Sequence, residues 1–178
     1  MALRRSSKPK IKKAHSAKDI AKRIARLGEA IRADAGDAEV FLLGYLKGAS
    51  CFTADLLRAI PGDVGYGFID VIRDIADTLT ADALEIDFLS HTDIRGRHVY
   101  LVKDVVSTGV IENYLMSQLR IHSPASLKLV ALLDRPDLRT VELQTDFHAF
   151  TVKEGSFVGY GLELEGRHSN LPYIARIS

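Results

Sequence analysis

The stretch LVKDVVSTGV (residues 101–110) sets four leucine and valine side chains around Lys103 and Asp104 and closes on Ser107-Thr108-Gly109. Apolar, β-branched residues in an unbroken run read as a strand covered on both faces. The next segment, VIENYLMSQLRIH (110–122), has a helical pattern, so the Ser-Thr-Gly turn stands at a strand-to-helix junction. If the helix starts there, the amides of Thr108, Gly109 and Val110 point at one anion, its dipole favours a phosphate, and the Thr108 hydroxyl adds a donor. Ser-Thr-Gly also opens many ordinary helices, so the turn alone is weak evidence for a ligand.

The same order recurs on either side. Ser16 can cap a helix whose Ile20, Ile24, Leu27 and Ile31 share one face. EVFLLG (39–44) is a short apolar strand, and the turn YLKGAS leads into the helical SCFTADLLRAI (50–60), stopped by Pro61-Gly62. Strands are predicted at 64–71, 84–89, 98–106 and, in SLKLVALLD, at 126–134. Strands alternating with helices across short turns predict an α/β fold with a mostly parallel sheet flanked by helices. Ligands of such sheets sit beyond the carboxyl ends of the strands, which directs attention to 45–49, 104–109 and 134–137. From 140 onward come short β-like pieces, VELQTDFHAFTV, SFVGYGLEL and LPYIARI, separated by Gly155, Gly166 and Pro172. They predict a small C-terminal β-rich hood over about 140–178 within one domain spanning 16–178.

Composition narrows the class. The chain has 178 residues, 47% hydrophobic and 26% charged, enough for one full core. Lys and Arg number 24 against 23 acids, so net charge gives no reason to expect nucleic acid or an anionic membrane as partner. The one local exception is MALRRSSKPKIKK (1–13), with six basic residues and no acid. Residues 1–15 are read as a basic flexible tail, with a contact arm for RNA or another acidic partner as the alternative. Cys51 is the only cysteine, no apolar run is long enough to span a bilayer, and no signal-peptide core stands at the start, which together predict a cytoplasmic protein. The histidines at 15, 91, 98, 122, 148 and 168 form no zinc-binding pattern.

Four longer stretches carry a resemblance: LLGYLKGASCFTADLLRAI (42–60), IRGRHVYLVKDVVSTG (94–109), LLDRP (132–136) and VGYGLELEGRHSNLPYI (158–174). By these the chain resembles the hypoxanthine-guanine phosphoribosyltransferases over most of residues 17–178. The resemblance implies a type I phosphoribosyltransferase fold with a hood, a dimer or tetramer, and transfer of a purine onto phosphoribosyl pyrophosphate with Mg2+. It also implies residue roles. Leu46, Lys47 and Gly48 match the pyrophosphate loop, and Ser107, Thr108, Gly109 and Val110 the cradle for the ribose 5-phosphate. Asp104 matches the second of two ribose-binding acids, and with Glu163, in place of an aspartate, is a candidate for magnesium. Arg135 stands where a lysine donates to the purine's exocyclic oxygen, with Phe157 and Val158 beside the base.

Other positions depart from the family. Lys103 replaces the first ribose acid, and Ser107 the aspartate that takes the purine proton; a serine is no base near neutral pH. The closing loop's Ser-Tyr pair aligns roughly with Asp74-Ile75, and carboxylates at 74 and 77 would repel pyrophosphate. Ser156 occupies the base-stacking aromatic position, with Phe157 one residue away, and Ser169 an arginine position. Two functions follow: a salvage transferase for hypoxanthine or guanine with weak or lost turnover, or a non-catalytic regulator that binds a nucleotide or phosphoribosyl pyrophosphate or partners an active paralogue. A third is transfer to a more acidic acceptor, for which Ser107 would be harmless.

Overall fold

The computed structural model describes residues 10–73, 84–89, 92–153 and 155–177. Its elements are β1 (Ile11–His15), α1 (Ala17–Ala35), β2 (Val40–Tyr45), α2 (Ser50–Ala59), β3 (Val64–Arg73), β4 (Leu84–Leu89), β5 (His98–Val106), α3 (Val110–Ile121), β6 (Ser126–Asp134), β7 (Phe147–Thr151), β8 (Ser156–Val158) and β9 (Ile174–Ile177). The capping predicted at Ser16 is reciprocal: the Asp19 amide donates to Ser16 Oγ, and the Ser16 amide to Asp19 Oδ2, both at 3.2 Å.

The main sheet runs in the order β4-β3-β2-β5-β6-β7, with β4 antiparallel and the other five strands parallel. Alternation along the strands divides the core. Val40, Leu42, Tyr100, Val102, Val130 and Leu132 pack under α1 and α2, while Phe41, Leu43, Val99, Leu101, Leu129 and Ala131 pack under α3. Helices on both faces of a mostly parallel sheet confirm the predicted class. α1 and α2 cross closely at Gly28, where an added Cβ would lie 2.3 Å from the Ala59 carbonyl oxygen. The end of α1 is tied to the sheet through Asp34, which accepts from the Tyr100 hydroxyl at 2.7 Å and from Lys128 Nζ.

Two boundaries differ from the sequence expectation. Ile11–His15, placed in the basic tail, form β1, which pairs antiparallel with β9; with β8 it makes a second, three-stranded sheet, the hood. His15 stacks on Phe150 with ring centroids 3.9 Å apart, an anchorage that basic composition conceals. Phe147–Thr151, placed in the hood, is instead the last parallel strand of the main sheet, paired with β6. Its apolar pattern suits either sheet, and only long-range pairing decides between them. Residues 74 and 77 of the expected closing loop lie outside the described residues.

Two outcomes are expected. Gly28→Ala overpacks the helix crossing and is expected to cost about 1–3 kcal/mol, read as a melting temperature lower by roughly 2–10 °C. Burial favours protonating Asp34, but the hydrogen bonds from Lys128 and Tyr100 outweigh it and hold the carboxyl below the usual range. That stability is present above the unfolded-state carboxylate pKa and is lost as pH falls through the lower folded value. In acid titrations of stability, Asp34→Asn is therefore expected to remove part of the acid-side slope.

Candidate active site

The turn after β5 is held from behind. Arg139 Nη1 donates to the Ser107 carbonyl at 2.5 Å, and the Thr140 amide donates to the Thr108 carbonyl at 3.0 Å. In a trans peptide the carbonyl and the following amide point opposite ways. Fixing these two carbonyls therefore aims the amides of Thr108 and Gly109 away from the brace. Gly109, at φ +81°, is the N-cap of α3 and sits against residues 139–143: a Cβ on it would come 2.8 Å from Arg139 Cδ and 3.1 Å from Leu143. The Val110 amide makes only a long contact, 3.5 Å, to Thr108 Oγ1, and the next amides of α3 have no intrahelical acceptor, so this end can seat an anion. Arg139 is itself anchored on Asp134 Oδ1 and on Thr145 Oγ1 at 3.2 Å, and Thr145 Oγ1 donates to the same carboxylate at 3.1 Å.

The turn after β2 forms the second element. The Leu46 amide donates to the Ile69 carbonyl and Ser50 to the Lys47 carbonyl, both at 3.0 Å; the Leu46–Lys47 peptide is cis. Lys47 is exposed. A Cβ on Gly48 would stand 1.9 Å from Asp104 Oδ2, and one on Gly161, at φ +92°, would stand 2.6 Å from the Gly48 carbonyl oxygen. The β2 turn, the end of β5 and a hood turn therefore meet at Gly48, and only glycine permits the approach.

Lys103 does not present a free cation there. It is 8% exposed; its Nζ donates to Asp104 Oδ1 and lies 4.3 Å from the Tyr45 ring centroid. The Val105 amide donates to the same Asp104 oxygen at 2.8 Å. Glu112, in the first turn of α3, is 4% exposed; burial pushes its carboxyl up while the Lys103 charge works against that. The charge reversal at 103 thus neutralises the neighbouring acid instead of facing the cleft.

Arg135 follows β6, and its amide donates to the Val106 carbonyl at 2.9 Å. Its Nε is buried without a partner among the described residues. Beside it a cavity of about 390 Å³ is lined by Arg135, Asp137, Leu138, Val152, Lys153 and Arg176. Phe157 packs against the α1–α2 core and Val158 is fully buried, whereas Ser156, on the opposite face of β8 from Phe157, is exposed. Glu163 is exposed, and among the described residues no three His, Cys, Asp or Glu side chains cluster as a metal cage. A larger cavity, about 710 Å³, lies at the opposite, amino edge of β2 and β3. There Arg32 is committed to the carbonyls of Pro61, Gly36, Ala38 and Asp63 and serves the loops.

Sequence reasoning missed Arg139, Thr140, Glu112 and the hood tie, in which the Tyr160 hydroxyl donates to Asp55 Oδ2 at 2.5 Å. The local pattern flags none of these residues; only the burial of Asp134 at a strand end would have prompted a search for its cation.

A phosphate-sized amide turn, a second turn joined to it through Asp104, and a hood over the carboxyl edge of a parallel sheet define a phosphoribosyl transferase. The phosphoribosyl transferase domain family matches residues 11–164. The hypoxanthine-guanine phosphoribosyltransferase of Bacillus subtilis is 33% identical over 159 residues, covering 89% of this chain and 88% of that protein. That of Streptococcus pneumoniae is 33% identical over 156 residues, covering 88% and 87%. Among solved structures, a hypoxanthine-guanine phosphoribosyltransferase of Bacillus anthracis superposes with a TM-score of 0.86 at 28% identity, covering 96% of this chain and all of that one. The hypoxanthine phosphoribosyltransferase of Trypanosoma cruzi gives 0.85 at 28% identity over 94% and 95%. The chain belongs to the hypoxanthine-guanine phosphoribosyltransferase family.

Asp134 and Arg139 are both nearly buried, at 9% and 12% side-chain exposure. Arg139→Met leaves a buried charge unpaired and is expected to cost about 3–5 kcal/mol in urea unfolding. Adding Asp134→Asn is expected to recover part of that loss.

Proposed function

We propose that the chain transfers the phosphoribosyl group of phosphoribosyl pyrophosphate to a purine, hypoxanthine or guanine on the family pattern, giving a nucleoside monophosphate and pyrophosphate with slow turnover. The observation that carries this is the amide turn 107–110, braced through its carbonyls by Arg139 and Thr140. A purine ring nitrogen forms its bond to the ribose carbon as the C–O bond to pyrophosphate breaks, and the ring N–H proton passes to water, since Ser107 cannot take it. Ser107, Thr108, Gly109 and Val110 hold the 5-phosphate; Leu46, Lys47 and Gly48 take the departing pyrophosphate. Asp104 orients a ribose hydroxyl, Arg135 donates to the exocyclic oxygen, and Phe157 borders the base, with Val158, expected there too, buried beside it in the strand.

Asp104 shares Oδ1 with Lys103 and keeps Oδ2, and Glu163 is exposed. That donor set fits a magnesium ion that takes most of its ligands from pyrophosphate and water. When bound, the ion neutralises charge on the leaving group. The main sheet and the hood, which begins with Ile11–His15, work as one transferase unit, assembled as a dimer or tetramer in the cytoplasm. No helix among the described residues is long and apolar enough to cross a membrane.

Slow turnover follows from Ser107, because a positioned base contributes roughly a hundred- to ten-thousandfold. The Lys103–Asp104 pair favours a second reading, a nucleotide- or phosphoribosyl pyrophosphate-binding regulator without turnover, since phosphate binding needs only amides and a hydroxyl. Incubation with phosphoribosyl pyrophosphate, Mg2+ and hypoxanthine or guanine is expected to give nucleotide slowly, and Ser107→Asp to raise the rate about 100-fold or more. Absence of nucleotide from both proteins, with GMP still binding in calorimetry, would establish the regulator instead.

A further inference from the structure

We infer that the acceptor best suited to this site is a heterocycle already carrying a negative charge, a ring N–H acid deprotonated near neutral pH, rather than a neutral purine. The inference rests on the transferase reading above and specifies its substrate class.

The first observation is charge without a counter-charge. Arg135, Lys153 and Arg176 line the cavity of about 390 Å³ between the carboxyl edge of β6 and β7 and the hood. Among the described residues, the ion pairs Arg58–Asp55, Arg97–Glu39, Lys103–Asp104, Lys128–Asp34 and Arg139–Asp134 leave these three cations unengaged. Among the described residues the only carboxylate lining the cavity is that of Asp137, so three cations less one acid leave two positive charges there. Arg176 is seated by a glycine, since a Cβ on Gly155 would lie 2.5 Å from its Nε. Cations gathered without an anion repel one another, and an anionic ligand removes that cost. Leu138 and Val152 complete the wall. Apolar walls suit a flat ring and offer nothing to inorganic phosphate, and the volume lies within the usual range for small-molecule sites.

The second observation is the missing base. When a neutral purine forms its bond to the ribose carbon, the ring N–H must lose its proton, and Ser107 cannot accept it near neutral pH. With an anionic ring, a nitrogen lone pair forms the N–C bond, the C–O bonding pair leaves with pyrophosphate, and no proton is released. A cationic cavity that selects the anion and a turn that has discarded its base are two halves of one solution. Arg135 belongs to the same logic: unlike lysine it cannot be neutralised and donates in a planar fork, which suits a charged oxygen on a ring.

The test compares oxopurines of increasing acidity, hypoxanthine, xanthine and urate, as acceptors with phosphoribosyl pyrophosphate and Mg2+ between about pH 6 and 9. The expected result is a kcat/KM at least about tenfold higher for the acidic bases than for hypoxanthine, rising with pH along each base's own ionisation. In the double variant Lys153→Gln/Arg176→Gln, the ratio of kcat/KM for urate over hypoxanthine is expected to fall about tenfold, the loss of two facing charges. Equal or better use of hypoxanthine, or an unchanged ratio in the double variant, overturns the inference and leaves the transferase reading intact. If no base is turned over, calorimetry decides. Urate binding tighter than hypoxanthine, and weakened in the double variant, supports the anionic-ring pocket while ending the transferase reading. Phosphate binding with no preference between the two bases overturns the pocket as well.

Discussion

The buried pair of Arg139 and Asp134 ties the last residue of β6 to the loop that carries the chain across to β7, and through the Ser107 carbonyl to the turn that starts α3. Burying two charges gains little stability by itself, because desolvation offsets most of their attraction. What the pair supplies is orientation. A guanidinium has several donors in a fixed plane, so one residue fixes a carboxylate, a hydroxyl and a backbone carbonyl together. Loss of that plane would free the peptide groups at 107–109 to rotate, and the amides would no longer converge. The anion seat is therefore a property of the crossover loop as much as of the turn.

A second buried pair changes what the seat can do. Lys103 and Asp104 bond to each other under the Tyr45 ring, beside a Glu112 whose carboxyl is pushed up by burial. The cleft therefore carries less negative charge at the end of β5 than two adjacent acids would give. Asp104 remains fixed by Lys103 and by the Val105 amide, with its other oxygen directed at Gly48. Position is kept while charge is spent internally.

The architecture was legible in sequence because apolar period and turn chemistry are local. The strands at 39–44, 98–106 and 126–134 and the helices after Ser16, at 50–60 and after Gly109, are seen within a residue or two of their predicted places. What was not legible depends on partners distant in sequence. β1 hides in a basic segment because its pairing with β9 spans most of the chain. β7 has the texture of a hood strand, yet pairing with β6 takes it into the main sheet. In the site, the turns at 46–48 and 107–110 stand at strand ends as glycine and hydroxyl patterns require. The direction of the Lys103 ammonium had no such sign: a lysine in a strand reads as a cation toward the cleft until its neighbours are placed.

The hood sets the scale on which all these charges act. The Tyr160 hydroxyl donates to Asp55 on α2, and the Gly161 turn rests on the Gly48 carbonyl, so the hood is pinned to the main sheet on the side of the β2 turn. On the other side β9 brings Arg176 over Gly155 and next to Arg135. A cover fixed at one edge and carrying a cation at the other divides the cleft by charge: acids neutralised near the end of β5 and, among the described residues, cations without an ion pair beyond β6. Field between low-dielectric walls acts more strongly than at open surface. The difference in charge between the two ends of the cleft thus follows from where the hood is fastened.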